Sequence, residues 1–146
     1  MDRTAVDWIT LPRLATGGDA ALLLMRLVTG AFLVHGVWDN IESTERMDEF
    51  VRFLQRFKFA APEFMAPLSV WTQFVAGLGF VLGLATRWAG LLCVANFVVA
   101  CWMVHWAQDF RGWWPALALV LIGAVLATVG PGRWSLDALL ARRSAR

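Results

Sequence analysis

Apolar positions run almost unbroken for the width of a bilayer four times along this chain, at roughly 20–39, 66–85, 88–107 and 113–129. A hydrocarbon layer about 30 Å thick takes ~20 helical residues rising about 1.5 Å each, so each run predicts a spanning helix, the fourth with little tilt. Between the first two runs the pattern changes. Met47, Phe50, Val51, Leu54 and Phe57 recur at helical spacing, with Glu45, Asp48 and Glu49 before them and Arg52, Arg56 and Lys58 at the end. That order suits the helix dipole and predicts an amphipathic surface helix over 43–58, closed by Pro62 and Pro67. Trp8, Ile9, Leu11 and Leu14 around Pro12 predict a second surface stretch, with Asp19 expected as the N-cap of the first span. Gly130-Pro131-Gly132 stops the fourth run, and Ser135 can cap a short last helix over 135–143. The connections at 84–88 and 108–112 are too short for anything but antiparallel neighbours. The expected fold is all-α: one membrane domain over 1–146, an integral four-helix bundle with short amphipathic interfacial helices. No internal repeat is evident.

Composition agrees, with 59% hydrophobic and 16% charged residues, and nine Trp and ten Phe that can furnish aromatic belts. A net charge of +2 does not suggest nucleic acid as a partner. The charge distribution says more. Four spans put both termini on one face, with Arg3, Arg13, Arg87, Arg133, Arg142, Arg143 and Arg146. Arg46, Arg52, Arg56, Lys58 and Arg111 fall on the other, mixed with six acids. The positive-inside rule then predicts cytoplasmic termini in a bacterial inner membrane. Asp2, Asp7 and Arg26 argue against a cleaved leader. Cys93 and Cys101 sit about 12 Å apart along one helix, beyond disulfide reach, and read as small buried thiols. Gly77, Gly79, Gly83 and Gly123 offer close helix contact.

Several motifs resemble those of the DoxX family of small bacterial and archaeal membrane proteins. Gly130-Pro131-Gly132-Arg133-Trp134-Ser135-Leu136-Asp137 is similar to its G-P-G-R-x-S-L-D ending, and Gly83-Leu84-Ala85-Thr86-Arg87 to its G-L-x-T-R turn. Arg26, Gly30, His35 and Gly36 resemble its first-span pattern, and His105 a histidine late in span three. The resemblance implies a four-helix bundle and a role beside redox enzymes; some members are subunits of thiosulfate:quinone oxidoreductases and others associate with oxidative-stress systems. The chain departs from the pattern at Gln73, where the family commonly has glutamate, near Trp114 and Pro115, and at Asp39 or Asn40, where a basic residue is usual.

The polar residues inside the spans are the candidate chemistry, because lipid makes them costly. Arg26 lies roughly 9 Å into the first span by helix rise. It can snorkel to headgroups, or face inward with Thr29 and Asn96, which reaches a similar depth, and bind an anion, a lipid headgroup or a quinone carbonyl. A second cluster is expected at the opposite end. His35-x-x-x-Asp39 and His105-x-x-x-Asp109 each put a histidine and a carboxylate on one helix face, with Gln73 level with His35 and with Trp38, Trp102 and Trp106 near. Three readings stay open for it: local interfacial hydrogen bonding, a proton-handling or quinone-headgroup site, and a metal or bis-His haem site on His35 and His105. Two histidines are few for the last, so no haem or metal is expected. The leading expectation is a quinone-linked membrane subunit of a redox assembly, hence an oxidoreductase component beside a partner subunit. Arg26, His35, Gln73, Asn96 and His105 are its candidate ligand residues. The alternative is a non-enzymatic scaffold or a pathway for a small solute; the expected partners are lipid, a redox enzyme subunit and further copies of the chain in a homo-oligomer.

Overall fold

The computed structural model describes residues 8–145. Arg3 and Arg146, counted above toward the charge of the terminal face, lie outside them, as do Asp2 and Asp7. Every regular element among the described residues is helical. A 3-10 helix, Pro12–Gly17, leads directly into α1, Gly18–Glu42. Then come α2, Thr44–Arg56, α3, Pro62–Leu82, and α4, Thr86–Ala100. The last of these continues as a π-helical turn, Cys101–His105. Next is α5, Phe110–Thr128, and finally α6, Leu136–Ser144. With their flanking turns, α1, α3, α4 and α5 are the four helices long and apolar enough to cross a membrane.

Two boundaries differ from the sequence expectation. Asp19 does not cap α1: the 3-10 turn feeds the helix without a break, Gly17 takes the cap position, and Asp19 is left free for a distant partner. Pro67 does not precede the second span but lies inside it, because Pro62 already occupies the first helical turn. Proline there gives up an amide that would be unpaired in any case. The amphipathic helix α2 forms as its pattern requires. Leu54 is buried, Phe50, Val51 and Phe57 are half-buried, and the charged residues point out. It lies across the ends of α1 and α3.

Glycine sets how closely the spans approach. α1 crosses α3 where Gly30 meets Gly77, and a Cβ on Gly30 would come within 2.6 Å of the Gly77 carbonyl oxygen. α4 crosses α5 where Gly90 meets Gly123 in the same fashion, with 2.6 Å from a Gly90 Cβ to the Gly123 carbonyl. The opposing atoms are backbone in both cases, so no side chain can yield. Gly79 lies against Ala89 and brings α3 onto α4. Leu33, Ala76, Phe80, Ala89, Cys93, Leu119 and Leu126 fill the core between the two pairs. Both cysteines are buried free thiols.

Gly30→Ala and Gly90→Ala are expected to lower stability in detergent by about 1–3 kcal/mol each, the usual cost of overpacking. Gly36→Ala meets open space and is expected to leave the melting temperature unchanged or slightly raised. Thermal unfolding followed by size-exclusion chromatography reads all three.

Candidate functional site

The two ends of the bundle are built differently. At the end that carries both termini, charged side chains close three helix termini. Arg26, only 1% exposed, reaches from α1 across the C-terminal turn of α3. Its guanidinium donates to the Phe80 carbonyl (3.1 Å) and to the Trp134 carbonyl (2.7 Å). Gly83 makes room for it: the backbone there is left-handed at φ 63°, and any Cβ would collide with the guanidinium. Asp137, in the first turn of α6, accepts from the Ala85 amide (2.8 Å) and the Thr86 amide (2.9 Å), which open α4. Its own amide donates to the Gly83 carbonyl at 2.9 Å. Arg87 performs the same service at the end of α5, donating to the carbonyls of Ala127 (2.8 Å) and Thr128 (2.5 Å). Asp19 accepts from the Arg133 amide at 2.8 Å, tying α1 to the last loop. Cations sit at helix C-termini and a carboxylate at an N-terminus, the arrangement that helix dipoles favour.

The opposite end is open. A cavity of about 450 Å3 lies between α2, α3 and α4. Its walls are apolar, with Phe50, Phe53 and Phe59 on the α2 side. The polar lining is Ser69, Thr72, Gln73, Asn96 and His105, all half-buried. Three of these form a chain. Gln73 Nε2 donates to Ser69 Oγ (3.2 Å), and Ser69 Oγ donates to Asn96 Oδ1 (2.8 Å). The Asn96 Nδ2 donor and the Gln73 Oε1 acceptor stay uncommitted. His105 ends the π-helical turn, and its Nδ1 lies 2.9 Å from Gln108 Oε1. π-turns are uncommon and concentrate at functional sites.

The structure thus brings together Gln73, Asn96 and His105 and separates the other candidates from them. Arg26 does not share a depth with Asn96. It lies beside Gly83, at the start of α4, whereas Asn96 is ten residues farther along that helix, about 15 Å by helix rise. The estimate from apolar run lengths fails because the helices do not start level: Arg26 is eight residues into α1, yet it lies beside Gly83, where α3 ends and α4 is about to begin. Its hydrogen bonds are to backbone carbonyls, so it neither snorkels nor offers itself to the cavity. His35 is exposed on the lipid-facing side of α1 and does not line the cavity. Asp39 pairs loosely with Arg46 (3.9 Å), and Asp109 caps α5 by accepting from the Gly112 amide at 3.1 Å. Trp102 and Trp106 pair on the lipid face with ring centroids 5.0 Å apart, and Trp38 lies 6.4 Å from Phe74. No group of three or more metal-ligating side chains forms among the described residues. Ser69 and Thr72 are the site residues that the sequence reading lacked. The spacing from Ser69 to Gln73, four residues on one helix face, is the signal that could have found the first.

The sequence model described as DoxX matches residues 21–106, which contain the whole lining of this cavity. The chain is also similar to the inner membrane protein YqjF of Escherichia coli (strain K12), with 23% identity over 129 residues that cover 86% of this chain and 95% of that protein. No solved structure matches the chain.

Asp137→Ala leaves the Ala85 and Thr86 amides without acceptors. It is expected to cost about 2–4 kcal/mol, since hydrogen bonds to a charged group are worth roughly 1.5–3 kcal/mol each and water can replace part of the exposed one to Ala85. Asp137→Asn keeps one acceptor and is expected to lose about half as much. Chemical unfolding in mixed micelles separates the two.

Proposed function

Because this chain belongs to the DoxX family, we propose that it works as a quinone-binding membrane subunit of a redox assembly in a bacterial inner membrane, with both termini in the cytoplasm. One observation carries the reading: an apolar cavity of about 450 Å3 holds a short chain of amide and hydroxyl groups and one histidine, and little else that is polar. That volume lies within the range of small-molecule sites, and apolar walls with a few placed polar groups are what such sites are made of. Aromatic side chains from α2 supply faces against which a flat ring can stack. A quinone needs a donor for a carbonyl oxygen and a group able to exchange protons. Asn96 supplies the first and His105 the second. The cavity opens beside lipid, where a carrier with an isoprenoid tail resides. Neither thiol takes part, as both are buried in the bundle.

The bilayer location rests on four spanning helices and on a relative whose name places it in the inner membrane. Cytoplasmic termini follow from the greater positive charge of the face that carries Arg13, Arg87, Arg133, Arg142 and Arg143. A partner enzyme would take electrons to or from the bound carrier.

Protein purified from its native membrane is expected to release quinone on solvent extraction. Ser69→Phe, which fills the cavity, is expected to cut the quinone per protein at least five-fold. His35→Ala, on the lipid face, is expected to leave it unchanged. Purified wild type with no quinone would overturn the reading and leave a non-enzymatic scaffold. Orientation has its own test. Lys58 is the sole lysine, so a membrane-impermeant amine reagent is expected to label it in spheroplasts and not in inverted vesicles; the reverse result would place the termini outside.

A further inference from the structure

Of the two histidines, His105 lines the cavity and His35 does not. The place of His35 is costly. Gly30 faces Gly77 where α1 crosses α3, and Arg26 lies beside Gly83, so the two helices run antiparallel. His35 is five residues beyond Gly30, about 7.5 Å by helix rise. That puts it about level with Thr72, the midpoint of Pro62–Leu82. The imidazole is therefore near mid-membrane, yet it is exposed and has no hydrogen-bond partner among the described residues. Lipid tails can neither donate to it nor accept from it, and a polar side chain at such a depth ordinarily turns inward or meets another helix. The other spans differ. Away from their ends, α3, α4 and α5 present no exposed histidine, amide or charged side chain among the described residues.

His35 stands in a seam. Ala21, Leu24, Val28, Ala31, His35 and Trp38 follow one another in alternating steps of three and four residues, and all six are exposed. That is the spacing with which one helix lies along another. Ala31, one turn ahead of His35, carries only a methyl group, so a second helix can come close. Copies of a membrane protein insert with one topology. A two-fold axis between two of them therefore runs along the membrane normal and sets each residue opposite itself at equal depth. Few polar side chains are self-complementary in that setting. Neutral imidazole is: one ring nitrogen donates and the other accepts, so His35 of one copy can bond His35 of the next. We infer that this face of α1 is a homodimer interface, in which two copies lie side by side in parallel and each covers the other's His35. α1 contributes no side chain to the cavity lining, so the pairing is independent of what the cavity binds.

Cysteine cross-linking of the full chain in its native membranes tests this. Both native cysteines are buried, so wild type is expected to run as a monomer on a denaturing gel after oxidation. Ala31→Cys is expected to move at least half of the chains to a band of twice the mass. Val125→Cys, exposed on the lipid face of α5, is expected to give less than a tenth of that yield. Single-molecule photobleaching of labelled chain, diluted in lipid vesicles, then reads the strength of the pair. His35→Leu, which suits lipid and is expected to keep the melting profile of wild type, should weaken dimerisation about three- to ten-fold, the range that one hydrogen bond between membrane helices supports. A monomer at every protein density would overturn the inference, as would a dimer that His35→Leu leaves intact or one linked through Val125→Cys in place of Ala31→Cys. Cross-linking of Ala31→Cys only to a chain of different mass would overturn it too, and would show that another protein covers this face.

Discussion

Lipid offers a helix end no hydrogen-bonding partner, so every terminal amide and carbonyl near the hydrocarbon must be answered from within the chain. Three charged side chains do this at the terminal face. Arg26 closes the C-terminal turn of α3, Arg87 that of α5, and Asp137 the N-terminal turn of α4. Each side chain reaches from a different element, so the caps also lock the elements to one another. A guanidinium as deeply buried as Arg26 is costly in isolation. It is tolerated because two backbone carbonyls accept from it, that of Phe80 at the negative end of α3 and that of Trp134 in the loop before α6. The positive backbone angle at Gly83 follows from the same requirement, since only a residue without Cβ leaves room for the arginine.

This concentration of charge at one end lets the other end stay open. The crossings at Gly30–Gly77 and Gly90–Gly123 lie nearer the terminal face, and beyond them the spans are not drawn together by backbone contact. Between α3 and α4 the gap becomes the cavity, roofed by α2 rather than filled by larger side chains. Stability and access to lipid are thus assigned to opposite ends of the same helices, which is why a binding site need not cost the bundle its integrity.

Much of this was legible beforehand. Spans of 20 apolar residues and the amphipathic stretch from Met47 to Phe57 follow from periodicity alone. Ser135 as a cap follows from its place after Gly-Pro-Gly. What periodicity cannot supply is depth. Depths counted from the start of each apolar run assume that the helices start level, and they do not: Arg26, expected about 9 Å into its span and level with Asn96, lies instead beside Gly83 at the capped end. Rotation about the helix axis is equally silent. His35 and His105 share an H-x-x-x-D spacing, yet one faces lipid and the other a cavity, because the π-helical turn before His105 alters its direction and nothing comparable precedes His35.

The backbone also uses one plan twice, although no repeat is visible in the sequence. Each pair of spans crosses at facing glycines, and each has an arginine three or four residues ahead of the first glycine. Each arginine caps the second helix of its pair, and that helix carries proline as its sixth residue, Pro67 in α3 and Pro115 in α5. The two halves differ at the far end. A thirteen-residue amphipathic helix joins α1 to α3, whereas a short turn joins the π-helical segment to α5. A fold with twofold equivalence would have no reason to open on one side. Inserting α2 into a single half breaks that equivalence, leaning an aromatic face over the α3–α4 seam and framing the apolar cavity there.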